Sequence, residues 1–331
     1  MSSLAPWLQT QLSSLVQRPG HALLLQGPSG LGQYELGLAL AAAWLCHAPK
    51  SVGACGTCSS CHGIEVRAHA DLCVLMPEID MLAFQWPLAE KAQKEIDDKK
   101  RKPSKEIRVD AMRELLGFTQ TTGSGARGKV VLIYPAERMN TVTANTLLKT
   151  LEEPPGDTRF ILATSASHEL LPTVRSRCQV HKLQWPSTED GLRWLVQQAV
   201  PEGEAQVLLK AAGGRPDDAL QLFQLGFQAK TWRTLPQQLL RGDPGVLGDN
   251  NPGLVLACLQ KVCHDMLGQT QGAAPRFFEA QDLPSTGNLA ALSQWSRDLM
   301  HSAHTVEHPY QAGLLMEAWV SRAQRALSAR H

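Results

Sequence analysis

The amino-acid sequence predicts an α/β domain with a parallel sheet and helical crossovers, followed by helices alone. Three observations support this fold class: unbroken apolar runs alternate with helical patterns, a glycine-rich turn joins the first run to the first helix, and strand-like runs end near residue 185. Strands buried on both faces have continuous apolar sequences, which is typical of parallel sheets covered by helices. The first half of the chain is therefore predicted to be a layered α/β domain.

Five apolar runs define the predicted strands. In chain order they are His21–Gln26, Asp71–Met76, Lys129–Tyr134, Thr158–Thr164 and Gln179–Leu183. The helices predicted between them cover Gln33–His47, Arg108–Thr119 and Asn140–Leu151. The last helix has Asn140 or Thr141 available as its N-cap, and it stops before Pro154 because proline cannot continue a helix.

The pattern after residue 185 is helical. Short helices separated by Pro and Gly are predicted over Glu189–Val200, Ala205–Ala212 and Asp217–Leu225, and a longer helical region begins near Lys230. We therefore predict an α/β domain over residues 1–184, a small helical domain over 185–229 and an all-α domain over 230–331. At about 150 residues per domain, a chain of 331 residues is long enough for two or three.

Composition and charge exclude several classes of protein. The chain has 32 Lys and Arg against 31 Asp and Glu, so any contact with nucleic acid depends on a local patch or on a partner's charge. The longest apolar run, Leu36–Cys46, is too short to span a bilayer, which takes about 20 residues. The N-terminal sequence does not match a signal peptide. We expect a cytoplasmic protein with no membrane partner.

The turn after the first strand has the spacing of a phosphate-binding loop, Gly-x-x-x-x-Gly-Lys-Ser/Thr, without its reactive side chains. Gly27, Gly30 and Gly32 keep the tight turn in which backbone N–H groups wrap phosphate. Gln33 replaces the lysine that neutralises phosphate charge, and Tyr34 replaces the small hydroxyl that holds Mg²⁺. The three glycines are candidate cofactor-binding residues of a degenerate loop, and we expect that this chain does not bind ATP.

A second element of ATP hydrolysis is also missing. Hydrolysing P-loop proteins carry a carboxylate pair after a neighbouring apolar strand, whereas Tyr134 and Pro135 follow Ile133 here. Two independent losses in the same direction predict a chain that does not hydrolyse ATP. The alternatives are an active ATPase and a glycine-rich turn unrelated to P-loops.

Four of the eight cysteines are close together in the sequence. Cys46, Cys55, Cys58 and Cys61 include two Cys-x-x-Cys spacings, which allow thiolates to surround one ion. In a reducing cytosol such clusters are more typical of metal sites than of disulfides. We predict a structural Zn²⁺ site that folds this insertion and has no open position for a substrate.

Other interpretations of the cysteines stay open. An iron–sulfur cluster is disfavoured because Glu65 stands where the ferredoxin pattern needs a further cysteine. His47, His62 or Cys73 could replace one ligand, and cysteines without a metal are the remaining alternative.

The segment Lys91–Arg108 is rich in charge, with eight basic and four acidic residues. It fits either an arm that contacts phosphate groups or a solvated, mobile loop, and we favour the loop.

Two arginines precede the fifth predicted strand, in the sequence Arg175-Ser176-Arg177-Cys178. Such arginines are commonly surface charges, but a guanidinium can also stabilise transition-state charge on phosphate. With the glycine turn, the four-cysteine insertion, Asn145-Thr-Leu-Leu-Lys-Thr-Leu-Glu-Glu-Pro-Pro155 and Phe160-Ile-Leu-Ala-Thr164, this motif resembles bacterial clamp-loader subunits of the AAA+ class. The resemblance is specific over residues 20–180.

This resemblance implies an AAA+ domain, a helical lid domain and a C-terminal helical collar domain for oligomerisation. It implies a non-hydrolysing, stator-like subunit of the clamp loader in the DNA polymerase III holoenzyme, a DNA-directed DNA polymerase. Arg177 would then be an arginine finger acting on the ATP of a neighbouring subunit. The implied partners are γ/τ-type ATPase subunits and a δ subunit in a hetero-pentameric ring, and, through that ring, the sliding clamp and primed DNA.

Two other functions fit the same residues: an ATP-hydrolysing motor subunit of the clamp loader, and a zinc-dependent nucleic-acid-binding module. The near-zero net charge and an aromatic content of 5% count against the second function, because single-strand binders stack bases on aromatic rings.

Overall fold

The computed structural model describes residues 4–248, 250–305 and 312–329. The chain forms two compact units, Met1–Trp185 and Pro186–His331. The finer division into domains at 1–184, 185–229 and 230–331 stays a prediction. Residues 1–3, 249, 306–311 and 330–331 of those domains lie outside the described residues.

The first unit contains a five-stranded parallel sheet, which confirms the predicted fold class. The strands are β1 (Ala22–Gln26), β2 (Leu72–Leu75), β3 (Lys129–Ile133), β4 (Thr158–Thr164) and β5 (Gln179–Lys182), in the spatial order β2-β3-β4-β1-β5. Each lies within one residue, at either end, of the predicted strand. Every residue of β3 is buried, as expected for a strand covered on both faces.

The helices of this unit include three that the sequence predicts. They are α1 (Pro6–Val16), α2 (Gln33–Leu45), α3 (Ser59–Glu65), α4 (Glu78–Ala83), α5 (Glu90–Asp97), α6 (Val109–Gln120), α7 (Thr141–Glu152) and α8 (Pro172–Arg175). The helices α2, α6 and α7 confirm the predictions. Asn140 is the N-cap of α7, and its Oδ1 accepts a hydrogen bond from the N–H of Thr143 at 3.0 Å.

The segment Lys91–Arg108 is solvated, as predicted, but the prediction of a loop is wrong for its first part. The helix α5 covers its first part, and Arg101 then ties the segment to α4. The Arg101 guanidinium lies 2.7 Å from Oε1 of Glu78 and 2.8 Å from Oε2 of Glu95. The N–H of Ser104 donates to the same Glu78 carboxylate at 2.8 Å. These contacts order the segment, because Arg101 and Ser104 bind one largely buried carboxylate and Arg101 also binds Glu95 of α5.

The described part of the second unit contains helices and no strand. The helices are α9 (Thr188–Gln197), α10 (Glu202–Ala211), α11 (Pro216–Gln224), α12 (Ala229–Leu240), α13 (Pro252–Thr270), α14 (Leu289–Thr305) and α15 (Ala312–Ser328). One apolar core joins them, in which the rings of Trp232 and Phe278 stack with centroids 4.8 Å apart. Among the described helices of both units, none has the length and apolar character needed to cross a membrane.

Candidate functional site

The glycine turn follows the carboxyl end of β1, the edge at which parallel α/β sheets bind ligands. Gly30 and Gly32 have φ angles of 73° and 87°, in the left-handed region that favours glycine. Gly32 is also the N-cap of α2, and a β-carbon there would lie 2.5 Å from Cδ1 of Leu8. The turn that contains Gly27, Gly30 and Gly32 is therefore present, and the close approach of α1 requires glycine at position 32.

The side chain of Gln33 folds back onto this turn. Its Nε2 donates to the carbonyl oxygens of Gly27 and Pro28, each at 2.7 Å, and the residue is only 3% exposed. In a working loop this position carries an ammonium group that binds the β- and γ-phosphates. Here a neutral amide is committed to the backbone, so the turn is bonded to itself.

An aromatic cluster, formed by Tyr34, Phe84, Trp86 and Tyr134, contains the two positions at which a working site carries Mg²⁺ ligands. The ring centroid of Tyr34 lies 4.4 Å from that of Phe84 and 5.5 Å from that of Tyr134. Trp86 Nε1 donates to the Tyr34 hydroxyl at 2.7 Å. Burial raises the pKa of Tyr34, so its hydroxyl stays protonated at neutral pH. Neutral aromatic groups thus replace both ligand positions.

The aromatic cluster also includes residues that the sequence does not predict. Phe84 and Trp86 follow α4, far along the chain from the glycine turn. Their contacts with Tyr34 arise from the packing of the segment after β2, and no spacing in the sequence signals them.

The four cysteines predicted as metal ligands come together around the start of α3. The Sγ–Sγ distances are 3.5 Å for Cys58–Cys61, 3.7 Å for Cys46–Cys61, 3.8 Å for Cys46–Cys58 and 3.9 Å for Cys55–Cys61. Four thiolates bound to one Zn²⁺ at about 2.3 Å occupy the corners of a tetrahedron with edges of about 3.8 Å. The four sulfur atoms therefore fit a single tetrahedral Zn²⁺ ion.

Neither Cys73 nor a histidine belongs to this group. Within the part of the chain that the structure describes, the four cysteines are the one cluster of candidate metal ligands. Cys73 lies on β2, and burial raises the pKa of its thiol to about 11, as expected for an inert core cysteine.

The thiols of the cluster differ in acidity. Hydrogen bonds from the backbone of Thr57 and Cys58 lower the pKa of Cys55 to about 5, and hydrogen bonds from the backbone of Cys61 and His47 lower the pKa of Cys58. Burial instead raises the pKa of Cys61 to about 12. Because a metal binds the thiolate form, Cys55 is ready to bind at neutral pH, whereas Cys61 must release a proton.

Arg177 lies between α8 and β5, where its own chain holds the guanidinium. Nη1 donates to the carbonyl oxygen of Thr173 at 2.8 Å, and Nη2 pairs with Glu152 at the end of α7. The side chains of Arg177 and Glu152 are 28% and 52% exposed, so solvent reaches the pair. The sequence does not predict this pairing, because the partners belong to different motifs 25 positions apart.

Ser176 and Cys178, the residues on either side of Arg177, make contacts within their own chain. Ser176 Oγ donates to the Thr173 carbonyl oxygen at 3.1 Å, and burial raises the pKa of the Cys178 thiol to about 12. Ser176 is therefore bonded within the turn that carries Arg177, and Cys178 packs against the core of the α/β unit.

The sheet order, the glycine turn after β1 and the cysteine cluster define an α/β protein with a P-loop-type turn and a candidate metal site. The fold is similar to the crystal structure of a DNA polymerase III gamma subunit-related protein from Thermotoga maritima. The two structures have a TM-score of 0.50 over 96% of this chain and 99% of that chain. Their sequence identity is 15%, so the likeness concerns the fold alone.

Sequence relatives identify the family. The family model described as DNA polymerase III, delta subunit, matches residues 4–187. The chain is 38% identical to DNA polymerase III subunit delta′ of Pseudomonas aeruginosa over 231 residues, which cover 68% of this chain and 63% of that protein. It is 34% identical to the delta′ subunit of Escherichia coli K12 over 248 residues, which cover 72% and 66%. The matches thus span just under two thirds of those relatives. The chain belongs to the DNA polymerase III delta′ subunit family.

Proposed function

We propose that this chain is a non-hydrolysing, stator-like subunit of the replicative sliding-clamp loader, and that it supplies Arg177 to the ATP site of a neighbouring subunit. The observation that carries the proposal is the closed phosphate loop. Gln33 bonds to the loop's own carbonyls, and Tyr34 is bonded to Trp86. Membership of the delta′ family and the order of the sequence motifs support the same function.

The closed loop argues against ATP binding by this chain. A nucleotide would have to displace the Gln33 amide, and it would meet neither an ammonium group for its phosphates nor a hydroxyl for Mg²⁺. Burying phosphate charge without these groups is costly, because the charge loses its hydration without compensation. In this proposal Gly27, Gly30 and Gly32 allow the backbone conformation of the turn and bind no cofactor.

Arg177 has the chemistry and the accessibility of an arginine finger. Its guanidinium is always charged and forks onto phosphate oxygens. Its partner in this chain is the half-exposed carboxylate of Glu152. A solvent-accessible ion pair of this kind contributes about 0–1 kcal/mol, so a phosphate group with more negative charge can replace Glu152 at small cost.

The four-cysteine cluster would hold a structural Zn²⁺ ion. When bound, the ion supplies a cross-link among four points of the chain and has no open coordination position for chemistry. Cys46, Cys55, Cys58 and Cys61 then fix α3 and the turn before it onto the end of α2. The metal therefore contributes to folding and not to catalysis.

The partners follow from the proposed role. They are γ/τ-type ATPase subunits and a δ subunit in a hetero-pentameric ring, with the sliding clamp and primed DNA reached through the complex. The α/β domain carries Arg177, the lid domain follows it, and the C-terminal collar domain joins the ring. The assembly works in the cytoplasm, where chromosomal DNA is replicated.

The test is the ATPase rate of a clamp loader reassembled from purified subunits. Arg177→Ala should abolish the contribution of the ATP site beside this chain, because a lost finger costs on the order of 10³-fold or more at its site. The subunit composition of the assembled complex, measured from its mass, should stay the same. Arg175→Ala is the matched control, because Arg175 donates to the carbonyl oxygen of Ser167 in its own chain.

An ATPase rate that is equal in the Arg177→Ala and Arg175→Ala complexes would remove the finger assignment. ATP hydrolysis by the chain alone, lost on substitution of Gly32, would instead identify the motor-subunit alternative.

A further inference from the structure

Residues 91–108, here named the basic arm, concentrate positive charge on a nearly neutral chain. Eight basic side chains stand against four acidic ones in this segment, whereas the whole chain has a net charge of +1. The rest of the chain is therefore net negative. Any attraction to a polyanion has to come from a local surface, and the basic arm is such a surface.

Each acidic side chain of the basic arm is bonded within the protein. The contacts join Glu95 to Arg101 at 2.8 Å, Asp98 to Lys100 at 2.9 Å, Asp97 to Gln93 at 2.9 Å and Glu106 to Asn140 at 3.3 Å. The carboxylates thus order the arm. Most lysines of the arm make no salt bridge with these carboxylates.

Four lysines of the basic arm are exposed: Lys91, Lys94, Lys99 and Lys102. None of them makes a salt bridge or a hydrogen bond through its side chain with another described residue. Lys91 and Lys94 are three positions apart on α5 and therefore share one helix face. The arm is held in place by Arg101 and Glu78, so these ammonium groups project from an ordered support.

Lys99 occupies a backbone conformation that lysine adopts at a cost. Its φ angle is 55°, in the left-handed position just beyond the end of α5 where glycine is preferred. The backbone N–H of Lys99 donates to the carbonyl oxygen of Ile96 at 2.9 Å, and the N–H of Lys100 donates to the carbonyl oxygen of Glu95 at 3.0 Å. Together these two hydrogen bonds form a Schellman motif. A β-carbon is strained in this position. Strain at an exposed, charged residue is a reason to seek a function in its side chain.

We propose that the basic arm binds the phosphate backbone of nucleic acid, with Lys91, Lys94, Lys99 and Lys102 as the contacting groups. Lysine ammonium groups are rotatable point charges that suit a chain of phosphates without reading its sequence. Acidic protein partners are commonly bound by bidentate arginine, and Arg101 is already committed to Glu78. The arm loses little freedom on binding because it is ordered beforehand.

This inference goes beyond the proposed function and does not depend on Arg177. The test is fluorescence anisotropy of the full chain with a labelled DNA duplex of roughly 20 base pairs, from about 50 to 200 mM salt. Substituting Lys91, Lys94, Lys99 and Lys102 by Gln should weaken binding at least about tenfold. The dependence of log K on log salt should become less steep by about 3.6, because each of the four phosphate contacts contributes about 0.9 to the slope.

The matched control substitutes four exposed lysines elsewhere, Lys50, Lys149, Lys182 and Lys230, by Gln. This variant has the same net charge as the arm variant and should keep both the affinity and the salt dependence of the unmodified chain. Equal losses in the two variants, or an unchanged slope in the arm variant, would overturn the proposal. Displacement of the DNA by polyglutamate of equal charge would assign the arm to acidic proteins instead.

The substitution Lys99→Gly separates the contribution of the Lys99 charge to DNA binding from its effect on stability. Lys99→Gly relieves the backbone strain, so it should raise the urea midpoint of unfolding while it lowers DNA affinity. A purely structural Lys99 would give the gain in stability with no change in DNA affinity, which would contradict its assignment as a contact.

Discussion

Gln33 and Tyr34 show how a residue can lose one kind of chemistry and gain a structural role. Each replaces a group that serves a nucleotide, and each makes a hydrogen bond within the protein, to the loop carbonyls or with Trp86. The bonds are buried, so breaking them would leave polar groups without partners. The loop is therefore bonded to itself, which supports the proposal that it binds no phosphate.

In the proposed function Arg177 leaves Glu152 to reach a phosphate group, so the strength of this ion pair sets the free-energy cost of that movement. Glu152→Gln removes the charge of this partner and keeps its shape. In a reassembled clamp loader, the variant should raise the affinity for ATP, or the ATPase rate, by up to about fivefold, which corresponds to the usual strength of an exposed ion pair. Steady-state kinetics over a range of ATP concentrations gives both values.

Glu153→Gln is the control, because the neighbouring Glu153 makes no salt bridge with the other described residues. A marked fall in the ATPase rate of the Glu152→Gln complex would mean that Glu152 positions Arg177 for catalysis and does not merely compete for it.

At the scale of the elements, we expect the short helix α3 to depend on zinc bound at the cysteine cluster. It has only seven residues, so it has little stability of its own. The purified chain should contain one zinc ion, measured by atomic emission. Removing zinc with a chelator should lower the melting temperature and make four thiols reactive. Binding should weaken as the pH falls, because protons compete for the thiolates.

Cys61→Ser should lose the zinc ion, since it removes a buried ligand. Cys178→Ser is the control, because that thiol is outside the cluster and should leave the zinc content at one. A chain that folds with the same melting temperature and α3 protection when free of metal would contradict the structural role of zinc.

The basic arm is an element held by charge. Burial raises the pKa of Glu78, but the hydrogen bonds and charge of Arg101, with Ser104 and Arg108, outweigh that effect and hold it below its usual value. Arg101 also lowers the pKa of Glu95. The anchor is therefore complete above about pH 4.5 and is lost as the pH falls through the lowered values.

Arg101→Met keeps much of the side-chain volume and removes the anchor. Backbone amide hydrogens of α5 should exchange at least about tenfold faster in this variant, because α5 is a short helix that buries no residue. Hydrogen exchange followed by mass spectrometry measures this rate at neutral pH. Exchange in α13 is the internal control, and unchanged exchange in α5 would show that the arm is ordered by other contacts.

At the scale of the whole molecule, the sheet is the part that the sequence predicts best. All residues of β3 are buried, as are all residues of β4 except Arg159, so the apolar runs of these strands are long and have clear ends. The ordered structure of the basic arm is harder to predict. Its order depends on Arg101 reaching Glu78, 23 positions away, and a charged segment held by ion pairs has the composition of a solvated loop.

The candidate site also combines features that the sequence predicts with features that depend on tertiary packing. The spacing of Cys46, Cys55, Cys58 and Cys61 predicts a cluster, because ligands for one ion have to be close together. The losses at Gln33 and Tyr34 are also visible in the sequence. What replaces the lost chemistry is not visible, because Phe84 and Trp86 reach the loop only through tertiary packing. The charge of Arg177 is visible as well, but its tie to Glu152 is not.

The proposed function requires that this chain keeps the shape of a nucleotide site, binds no ATP there and supplies Arg177 to a neighbouring subunit. Isothermal titration of the full chain with Mg²⁺·ATP tests the claim most directly, with an ATP-hydrolysing clamp-loader subunit as the positive control. We expect no heat of binding at ATP concentrations up to about 1 mM, and no release of phosphate. A dissociation constant in the range of about 1 μM, accompanied by turnover, would contradict the account.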